Sequence, residues 1–343
     1  MERALTELWY REHAGPSLLQ PLAWLYGGLM ALRRRAYATG WATSAGAGRP
    51  VVVVGNLTVG GTGKTPLTIW LARALRANGL RVGIVARGYG SRTGRGPRRV
   101  ALDSLWQEVG DEPLILARRS ACATVVGIDR LAAARLLAAD GVDVILADDG
   151  LQHLRLARAC EIVVVDGARG LGNGRLLPAG PLREPATRLR QVDAVVVNGA
   201  LTRGSLASLL PPAVLGMRLT PTEVVSLDER SRRPLASLQG RQVHAVAGIG
   251  NPQRFFSELR AHGLEVSEHV FPDHHPLSAP QVAFADDLAV LMTEKDAVKC
   301  RSFADARLWY VPVSAQLAPR DAQELLTRVL AKVRGTTTPG GPP

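Results

Sequence analysis

Glycine, lysine and threonine residues occur together in one segment of the sequence, at a spacing that suits phosphate binding. The segment GNLTVGGTGKTP, residues 55–66, follows the β-branched run Val51–Val54. Glycines let successive backbone N–H groups converge on phosphate oxygens, and the N-terminus of a following helix adds partial positive charge. A lysine reaches the terminal phosphates, and the next hydroxyl can hold Mg²⁺. We therefore predict an ATP site made by Gly60, Gly61, Thr62, Gly63, Lys64 and Thr65.

The match to the phosphate-loop pattern G-x-x-x-x-G-K-[ST] is incomplete, because Thr58 stands where the first glycine is required. The alternative is a glycine-rich turn with an incidental lysine. The predicted setting of strand, loop and helix favours the phosphate loop.

Two adjacent carboxylates, Asp148 and Asp149, follow the apolar run Val142–Ala147. Such a pair alone is often a turn or a helix cap. At the carboxyl end of a parallel strand, however, it faces the crevice where open α/β sheets bind ligands, and one carboxylate can hold Mg²⁺ directly or through water. Beside a phosphate loop, the pair predicts a metal site formed by Thr65, Asp148 and Asp149.

Strands and helices are predicted to alternate around these motifs. Short apolar runs indicate buried strands, and longer segments between them indicate helices at 66–77 and 129–139; the strands fall at 51–54, 81–85, 142–147, 162–165 and 194–197. This alternation is typical of an α/β fold, here a P-loop NTPase-like parallel sheet flanked by helices. A strand at 242–247 and a helix at 253–261 predict a second, smaller α/β domain.

Length and composition limit the class of protein. The 343 residues suffice for about two domains at roughly 150 residues each. With 46% hydrophobic and 21% charged residues, wholesale disorder is excluded. The formal net charge of +12 favours an acidic partner, but no zinc finger, RNP-like aromatic pattern or basic heptad array is present, so we predict no nucleic-acid partner.

Three widely spaced cysteines without a CxxC support neither a disulfide framework nor a zinc site, which suits a reducing cytoplasm.

An apolar segment near the N-terminus, residues 18–32, is followed at once by Arg33–Arg35. It is shorter than the ~20 apolar residues that cross a bilayer. A secretory signal places its basic residues before the apolar run, so export is not predicted. Two interpretations stay open: a helix lying in the interface of an anionic leaflet, and an N-terminal helix packed on the core.

Seven motifs in order resemble the tetraacyldisaccharide 4′-kinase family, the lipid A pathway enzymes that phosphorylate a disaccharide lipid with ATP. They cover nearly the whole chain and read GNLTVGGTGKTP (55–66), ARGYG (86–90), GDEP (110–113), DDGLQH (148–153), PAGPLREP (178–185), FPDHHP (271–276) and TEKDAVK (293–299). The resemblance implies transfer of the γ-phosphate of ATP to the 4′-hydroxyl of a tetraacyldisaccharide 1-phosphate lipid, forming lipid IVA, with Mg²⁺ as the metal.

Carried over position by position, the resemblance also implies roles for single residues. Lys64 is implied to act in catalysis, and Asp111 in GDEP to accept the proton of the sugar hydroxyl. His274 matches the histidine paired with that aspartate, with His275 as the neighbouring candidate. Further active-site positions, with less defined roles, are Tyr89, Glu112, Arg130, Gln152, His153, Arg183 and Glu184.

The box that begins at Thr293 has two interpretations. Thr293 and Lys295 fit a nucleotide contact made from the second domain. Thr293 would equally suit the N-cap of a helix, with Asp296 at the third helical position.

The resemblance completes the expected layout of the chain. We expect a monomer at the cytoplasmic face of the bacterial inner membrane, held peripherally or monotopically and acting on a glycolipid. The expected parts are a membrane-associated amphipathic segment (1–40), an ATP-binding kinase domain (41–220), a hinge (221–241), a smaller C-terminal domain (242–334) and a disordered tail (335–343).

The main alternative is a membrane-associated switch ATPase of the partition type, whose loops read K-G-G-x-G-K-[ST]. Val59 occupies the position of the first lysine of that signature. Such a protein would hydrolyse ATP as a dimer without an acceptor sugar.

Overall fold

The computed structural model describes residues 8–10, 18–88, 96–201 and 214–335. In these ranges the chain forms a larger and a smaller β-sheet. The helices are α1 (Gln20–Ala38), α2 (Lys64–Ala77), α3 (Trp106–Val109), α4 (Asp111–Ser120), α5 (Arg130–Ala139), α6 (Pro252–Ala261), α7 (Ala279–Val282), α8 (Glu294–Cys300) and α9 (Pro319–Gly335). Short 3₁₀ turns occupy Ala186–Gln191, Leu235–Leu238 and Arg301–Phe303.

The larger sheet is parallel except at its edges. Its strands are β1 (Val51–Gly55), β2 (Val82–Ala86), β3 (Arg98–Val100), β4 (Ala123–Val126), β5 (Val144–Asp148), β6 (Cys160–Asp166), β7 (Ala194–Asn198), β8 (Val214–Pro221) and the last strand of the chain, β15 (Val313–Leu317). They lie in the order β15-β8-β7-β6-β1-β5-β2-β4-β3, with only β15 and β3 antiparallel to their neighbours among the described strands. The predicted α/β fold with a parallel sheet is confirmed.

Strand β1 shows why this sheet forms. Val52 and Val54 pack into one hydrophobic cluster with α2, whereas Val51 and Val53 pack into another with α5. All-β-branched strands of this kind suit a parallel sheet covered by helices on both faces. Val54 pairs with Asp148 in register, so the carboxyl ends of β1 and β5 meet at one edge of the sheet. That edge is where ligands of such sheets bind.

The smaller sheet begins before the boundary expected from the sequence. Its strands are β9 (Glu223–Ser226), β10 (Arg232–Pro234), β11 (Gln242–Ala247), β12 (Glu265–Val270), β13 (Ala289–Thr293) and β14 (Leu308–Val311), in the order β10-β9-β14-β13-β11-β12. The segment expected as a hinge, 221–241, therefore supplies two antiparallel strands to this sheet. The consecutive residues Val224 and Val225 of β9 pack into different hydrophobic clusters, one on each face of the sheet.

The expected extent of the smaller C-terminal domain, residues 242–334, also needs correction. β15 pairs with β8 of the larger sheet, and Leu325, Val329 and Val333 of α9 join the same core as α2. The chain thus returns to the larger unit after β14, because the apolar stripe of α9 covers that sheet and not the smaller one. Of the expected disordered tail, 335–343, the first residue is the last of α9, and the others lie outside the described residues.

Helix α1 contains most of the predicted apolar segment and continues past Arg33–Arg35 to Ala38. Ala23 is buried, while the leucines on a neighbouring stripe are exposed: Leu22, Leu25, Leu29 and Leu32. Among the described residues, no helix combines the length and hydropathy needed to cross a bilayer.

Candidate active site

The phosphate loop connects β1 to α2 as predicted. Gly60 and Gly63 adopt φ values of 97° and 99°, a region that disfavours side chains. A Cβ on Gly63 would lie 2.9 Å from Cε of Met217, so the position also lacks room for one. Gly63 is the N-cap of α2 and no side chain caps that helix end. The first backbone N–H groups of α2 are therefore available to an anion.

A second loop, residues 178–185, holds the phosphate loop in place. The Val59 N–H donates to the Pro181 carbonyl at 2.9 Å, and the Arg183 N–H donates to the Leu57 carbonyl at 2.7 Å. The PAGPLREP motif thus supports the loop through its backbone and presents Arg183 and Glu184 beside it.

Asp148 ends β5 and is buried under α2. Its carboxylate accepts hydrogen bonds from Thr68 Oγ1 at 2.9 Å and from Thr65 Oγ1 at 3.3 Å. Burial raises the pKa of Asp148 to about 6, and the negative charge of Glu112 acts in the same direction.

Asp149 has the opposite electrostatics. Burial alone would raise its pKa, but Lys64, with Nζ at 3.6 Å, and Arg183, with Nη1 at 3.2 Å, outweigh it and lower the pKa to about 2. Its φ of 51° is unusual for a residue with a side chain, and such strain clusters at functional sites.

These oxygens suit Mg²⁺. The hydroxyl of Thr65 and the carboxylates of Asp148 and Asp149 gather at the end of the phosphate loop, and Mg²⁺ in such sites takes one or two carboxylates together with phosphate oxygens. Within the described ranges no group of three or more His, Cys, Asp and Glu side chains could hold a metal by itself. The donor set therefore fits a metal that arrives with a nucleotide.

A carboxylate and an imidazole from different units meet across the site. Asp111 begins α4 of the larger unit, and His274 follows β12 of the smaller one; His274 Nδ1 lies 2.9 Å from Asp111 Oδ2. Although burial opposes ionisation, the hydrogen bond to His274 and the charge of Lys295 lower the pKa of Asp111. The same hydrogen bond raises the pKa of His274. Asp111 thus ionises more readily than an ordinary aspartate, and His274 holds a proton more tightly than an ordinary histidine.

Of the two candidate histidines, the structure brings His274 and not His275 to Asp111. His275 stacks on Phe271 and lies 3.1 Å from Nε2 of Gln281. His274 adopts a φ of 59°, which is unusual for a residue with a side chain.

Helix α8 supplies cations behind Asp111. Lys295 forms an ion pair with Glu112, and the charges of Glu112 and Asp111 outweigh burial to raise the pKa of Lys295. Lys299 has a fully buried side chain and lies 3.9 Å from Asp111 Oδ2 and 3.2 Å from Asp296 Oδ1. Sequence reasoning missed Lys299. Its place one turn after Lys295 on a helix was the available signal.

Thr293 caps α8. Its Oγ1 accepts the N–H of Asp296 at 3.3 Å, and the hydroxyl donates to the carboxylate of Asp296 at 2.6 Å. The N-cap interpretation is confirmed, while a nucleotide contact by Thr293 stays a prediction.

Arg130 is the most unusual of the remaining candidates. The residue is 2% exposed, and its Nη2 donates to the Asp148 carbonyl at 3.2 Å, but Nε and Nη1 have no hydrogen-bond partner among the described residues. Burial lowers the pKa of Arg130 to about 10. Burial and the nearby charge of Arg130 also lower the pKa of His153, to about 4. A buried cation with unused donors indicates a place for an anionic ligand.

Gln152 and Glu184 connect this edge to helix α1. Gln152 Nε2 donates to Glu184 at 2.8 Å, and Arg34 of α1 lies 3.5 Å from the other oxygen of Glu184. The Tyr26 hydroxyl of α1 donates to the Arg183 carbonyl at 3.0 Å. Tyr89, the remaining candidate, lies outside the described residues.

Comparison with known proteins gives one family. The family model described as tetraacyldisaccharide-1-P 4′-kinase matches residues 16–333. Tetraacyldisaccharide 4′-kinase of Alkalilimnicola ehrlichii is 53% identical over 331 residues, which cover 96% of this chain and 95% of that protein. Tetraacyldisaccharide 4′-kinase of Pseudomonas aeruginosa strain LESB58 is 49% identical over 317 residues, covering 92% and 93%.

A solved structure agrees with the sequence relatives. The crystal structure of LpxK from Aquifex aeolicus in complex with ATP superposes with a TM-score of 0.77 at 29% identity, covering 92% of this chain and 98% of that one. The resemblance inferred from the seven motifs is confirmed. Because both the family model and relatives at this identity span most of the sequence, the chain belongs to the tetraacyldisaccharide-1-P 4′-kinase family.

Proposed function

We propose that this protein transfers the γ-phosphate of ATP to the 4′-hydroxyl of a tetraacyldisaccharide 1-phosphate lipid. The observation that carries the proposal is the meeting of a phosphate loop with the Asp111–His274 pair at one edge of the sheet, in a chain of this family. Phosphoryl transfer has a loose transition state, so catalysis depends on positioning and on neutralising charge.

The loop and its cations would hold the triphosphate. Backbone N–H groups at the start of α2 and the Lys64 ammonium face the phosphates, with Arg183 beside them. Thr65, Asp148 and Asp149 would hold Mg²⁺, which neutralises phosphate charge when bound. Arg130 offers two unused donors to an anionic group of either substrate.

Asp111 would accept the proton of the attacking hydroxyl. His274 orients the carboxylate through Nδ1, and their hydrogen bond stabilises the anionic form of Asp111 in the free enzyme. In a loose transition state the base takes the proton late, so correct placement matters more than strong basicity. Lys299 and Lys295 fix the carboxylate from behind.

Helix α1 would bring the enzyme to the lipid. Its exposed leucines and the exposed Arg33 and Arg35 suit the surface of an anionic membrane. The acyl chains of the substrate leave a bilayer only at a cost of about 0.8 kcal/mol per CH₂, so the enzyme must act at the surface. Since ATP is cytoplasmic and all three cysteines are buried free thiols, we propose that the enzyme acts on the cytoplasmic face of the inner membrane.

The test is direct. Purified protein is incubated with ATP, Mg²⁺ and a detergent-solubilised disaccharide lipid monophosphate, and the lipid is analysed by mass spectrometry. One added phosphate is expected, absent with a Lys64→Gln variant. ATP hydrolysis by a dimer, unchanged by the lipid and without a phosphorylated product, would instead support the switch ATPase.

A further inference from the structure

An arginine of the smaller unit reaches across to the larger unit beside the phosphate loop. Arg254 lies in the first half of α6 and its side chain is 40% exposed. Its Nη1 lies 3.1 Å from Asp166 Oδ2, and its Nη2 donates to Asn198 Oδ1 at 3.2 Å. The planar guanidinium thus spans two acceptors at once, which a lysine cannot do in the same geometry.

Both acceptors sit on rigid backbone. Asp166 and Asn198 end β6 and β7 and are paired in register. The other oxygen of Asp166 accepts the N–H groups of Ala168 and Arg169, each at 3.1 Å. Asn198 is 1% exposed. Arg254 therefore binds to fixed positions at the carboxyl edge of the larger sheet.

Asn198 connects Arg254 to the phosphate loop. Its Nδ2 donates to the Thr62 carbonyl at 3.0 Å, and the same atom would lie 3.0 Å from a Cβ on Gly63. The amide of Asn198 therefore packs directly on the turn that aims the loop at phosphate. With its oxygen held by Arg254, the amide has one orientation, with the NH₂ group toward Thr62.

We propose that Arg254 is a positioning residue for ATP: through Asn198 it fixes the phosphate loop in its binding conformation when the smaller unit is docked. The inference rests on the proposed function, since it takes the loop to be the ATP site. The fixed loop binds phosphate without first being ordered, so the contact raises nucleotide affinity and has little effect on the chemical step.

The experiment compares Arg254→Gln with a matched control on the same helix. Arg260→Gln removes a similarly exposed arginine whose partner, Glu268, belongs to the smaller unit. For Arg254→Gln we expect the KM for ATP and the Kd of a non-hydrolysable ATP analogue to rise about tenfold, while kcat at saturating ATP and the KM for the lipid stay within about twofold. Arg260→Gln should match the wild type. Loss of kcat with unchanged nucleotide affinity would overturn the proposal.

A double-mutant cycle tests the route through Asn198. Asn198→Asp keeps an acceptor for Arg254 but loses the donor to Thr62. If Arg254 acts through Asn198, adding Arg254→Gln to Asn198→Asp should weaken analogue binding by less than about twofold more. A further tenfold loss would mean that Arg254 acts on the nucleotide directly, and would overturn the proposed route.

A measurement without catalysis keeps the two proposals apart. Amide hydrogen exchange over residues 58–64 of the nucleotide-free protein should be faster in Arg254→Gln than in wild type and Arg260→Gln. Unchanged exchange refutes the positioning role, even if Asn198→Asp fails to fold. Absence of lipid phosphorylation by the wild type would refute the proposed function and leave the exchange and binding results to decide the role of Arg254.

Discussion

His274 Nδ1 lies 2.9 Å from Asp111 Oδ2, although the residues are 163 positions apart and belong to different units of the fold. Asp111 is fixed at the start of α4, and His274 is fixed by the loop after β12. The pair therefore exists only when the smaller unit is docked on the larger one. Docking in this way assembles the proposed base and, through Arg254, supports the phosphate loop.

Replacing Asp111 by Asn should abolish most of the phosphotransfer. The amide keeps the shape of the side chain but cannot accept the proton, and general-base groups contribute about 10²–10⁴-fold. We expect kcat to fall in that range while the Kd of an ATP analogue changes by less than about threefold. Steady-state phosphorylation of the lipid and equilibrium titration with the analogue measure the two effects.

Glu108→Gln is the matched control for this change. Glu108 lies three residues before Asp111, but it is half exposed and pairs with Arg98 on the surface. The activity of Glu108→Gln should equal that of the wild type. Full activity in Asp111→Asn, or equal losses in both variants, would remove Asp111 from the proposed role.

Because His274 pairs with Asp111, we expect His274→Gln to lower the free energy of unfolding at mildly acidic pH. At alkaline pH the substitution should change it very little. The folded-state pKa of His274 is raised above 6.5, so its contribution to stability is complete below that pH and disappears as the pH rises through the folded-state value. The pKa of Asp111 is lowered from 3.8, so its contribution is complete above that value and is lost as the pH falls further. The pair thus contributes most between these two limits.

Chemical denaturation at about pH 5.5 and about pH 9 measures this window. We expect a difference in unfolding free energy between wild type and His274→Gln of about 1 kcal/mol at the lower pH, and a smaller one at the higher pH. His275→Gln, which leaves Asp111 paired, should show no such trend. A difference that grows with pH would contradict the assigned pair.

Much of the site could be predicted because its signals are local. The strand before the phosphate loop, the helix after it and the carboxylates after β5 are all set by short stretches of β-branched, glycine and acidic residues. The pairing of Asp111 with a histidine was implied by family resemblance alone, and only the three-dimensional structure distinguished His274 from His275.

The parts that sequence reasoning missed depend on distant contacts. β15 pairs with β8 about a hundred residues earlier, and no local pattern shows to which sheet an edge strand returns. Asn198 and Arg254 belong to no recognisable sequence motif. Their proposed importance comes from a hydrogen bond that links the two units. Lys299 looked like an ordinary helix cation, yet its side chain is fully buried.

Asp148 should make magnesium dependence sensitive to pH. Because burial raises its pKa to about 6, the carboxylate becomes protonated as the pH falls below that value and loses its affinity for Mg²⁺. The Mg²⁺ concentration for half-maximal activity should therefore rise between about pH 8 and about pH 5, by up to about tenfold per unit below the pKa. Removal of Mg²⁺ by EDTA should abolish turnover.

Asp148→Asn should need roughly tenfold more Mg²⁺ at pH 8 and should lose this part of the pH dependence. Asp143→Asn is its control, because Asp143 precedes the same strand at the opposite end and pairs with Arg81 on the surface. The control should behave as the wild type. An unchanged Mg²⁺ requirement in Asp148→Asn would exclude Asp148 as a ligand.

Helix α1 should hold the enzyme on anionic membranes through its exposed leucine stripe. Tyr26 and Arg34 tie the helix to the loop that carries Arg183 and Glu184, so the free leucines are displayed at a fixed place next to the site. Leu25 and Leu29 are 63% and 55% exposed, and replacing both by Gln removes apolar surface without opening the core. We expect the double variant to bind vesicles containing anionic lipid at least about tenfold more weakly, since burial of one leucine contributes about 1.5–3 kcal/mol.

Leu102→Gln is the control for this surface, because Leu102 is 64% exposed but follows β3 at the far edge of the larger sheet. It should cosediment with vesicles as the wild type does. Binding should also weaken at high salt, because Arg33 and Arg35 are exposed beside the stripe.

In detergent micelles, where the lipid is supplied without a membrane, the Leu25→Gln, Leu29→Gln double variant should keep its kcat. A loss of kcat in micelles with unchanged vesicle binding would show that α1 shapes the active site and does not bind the membrane.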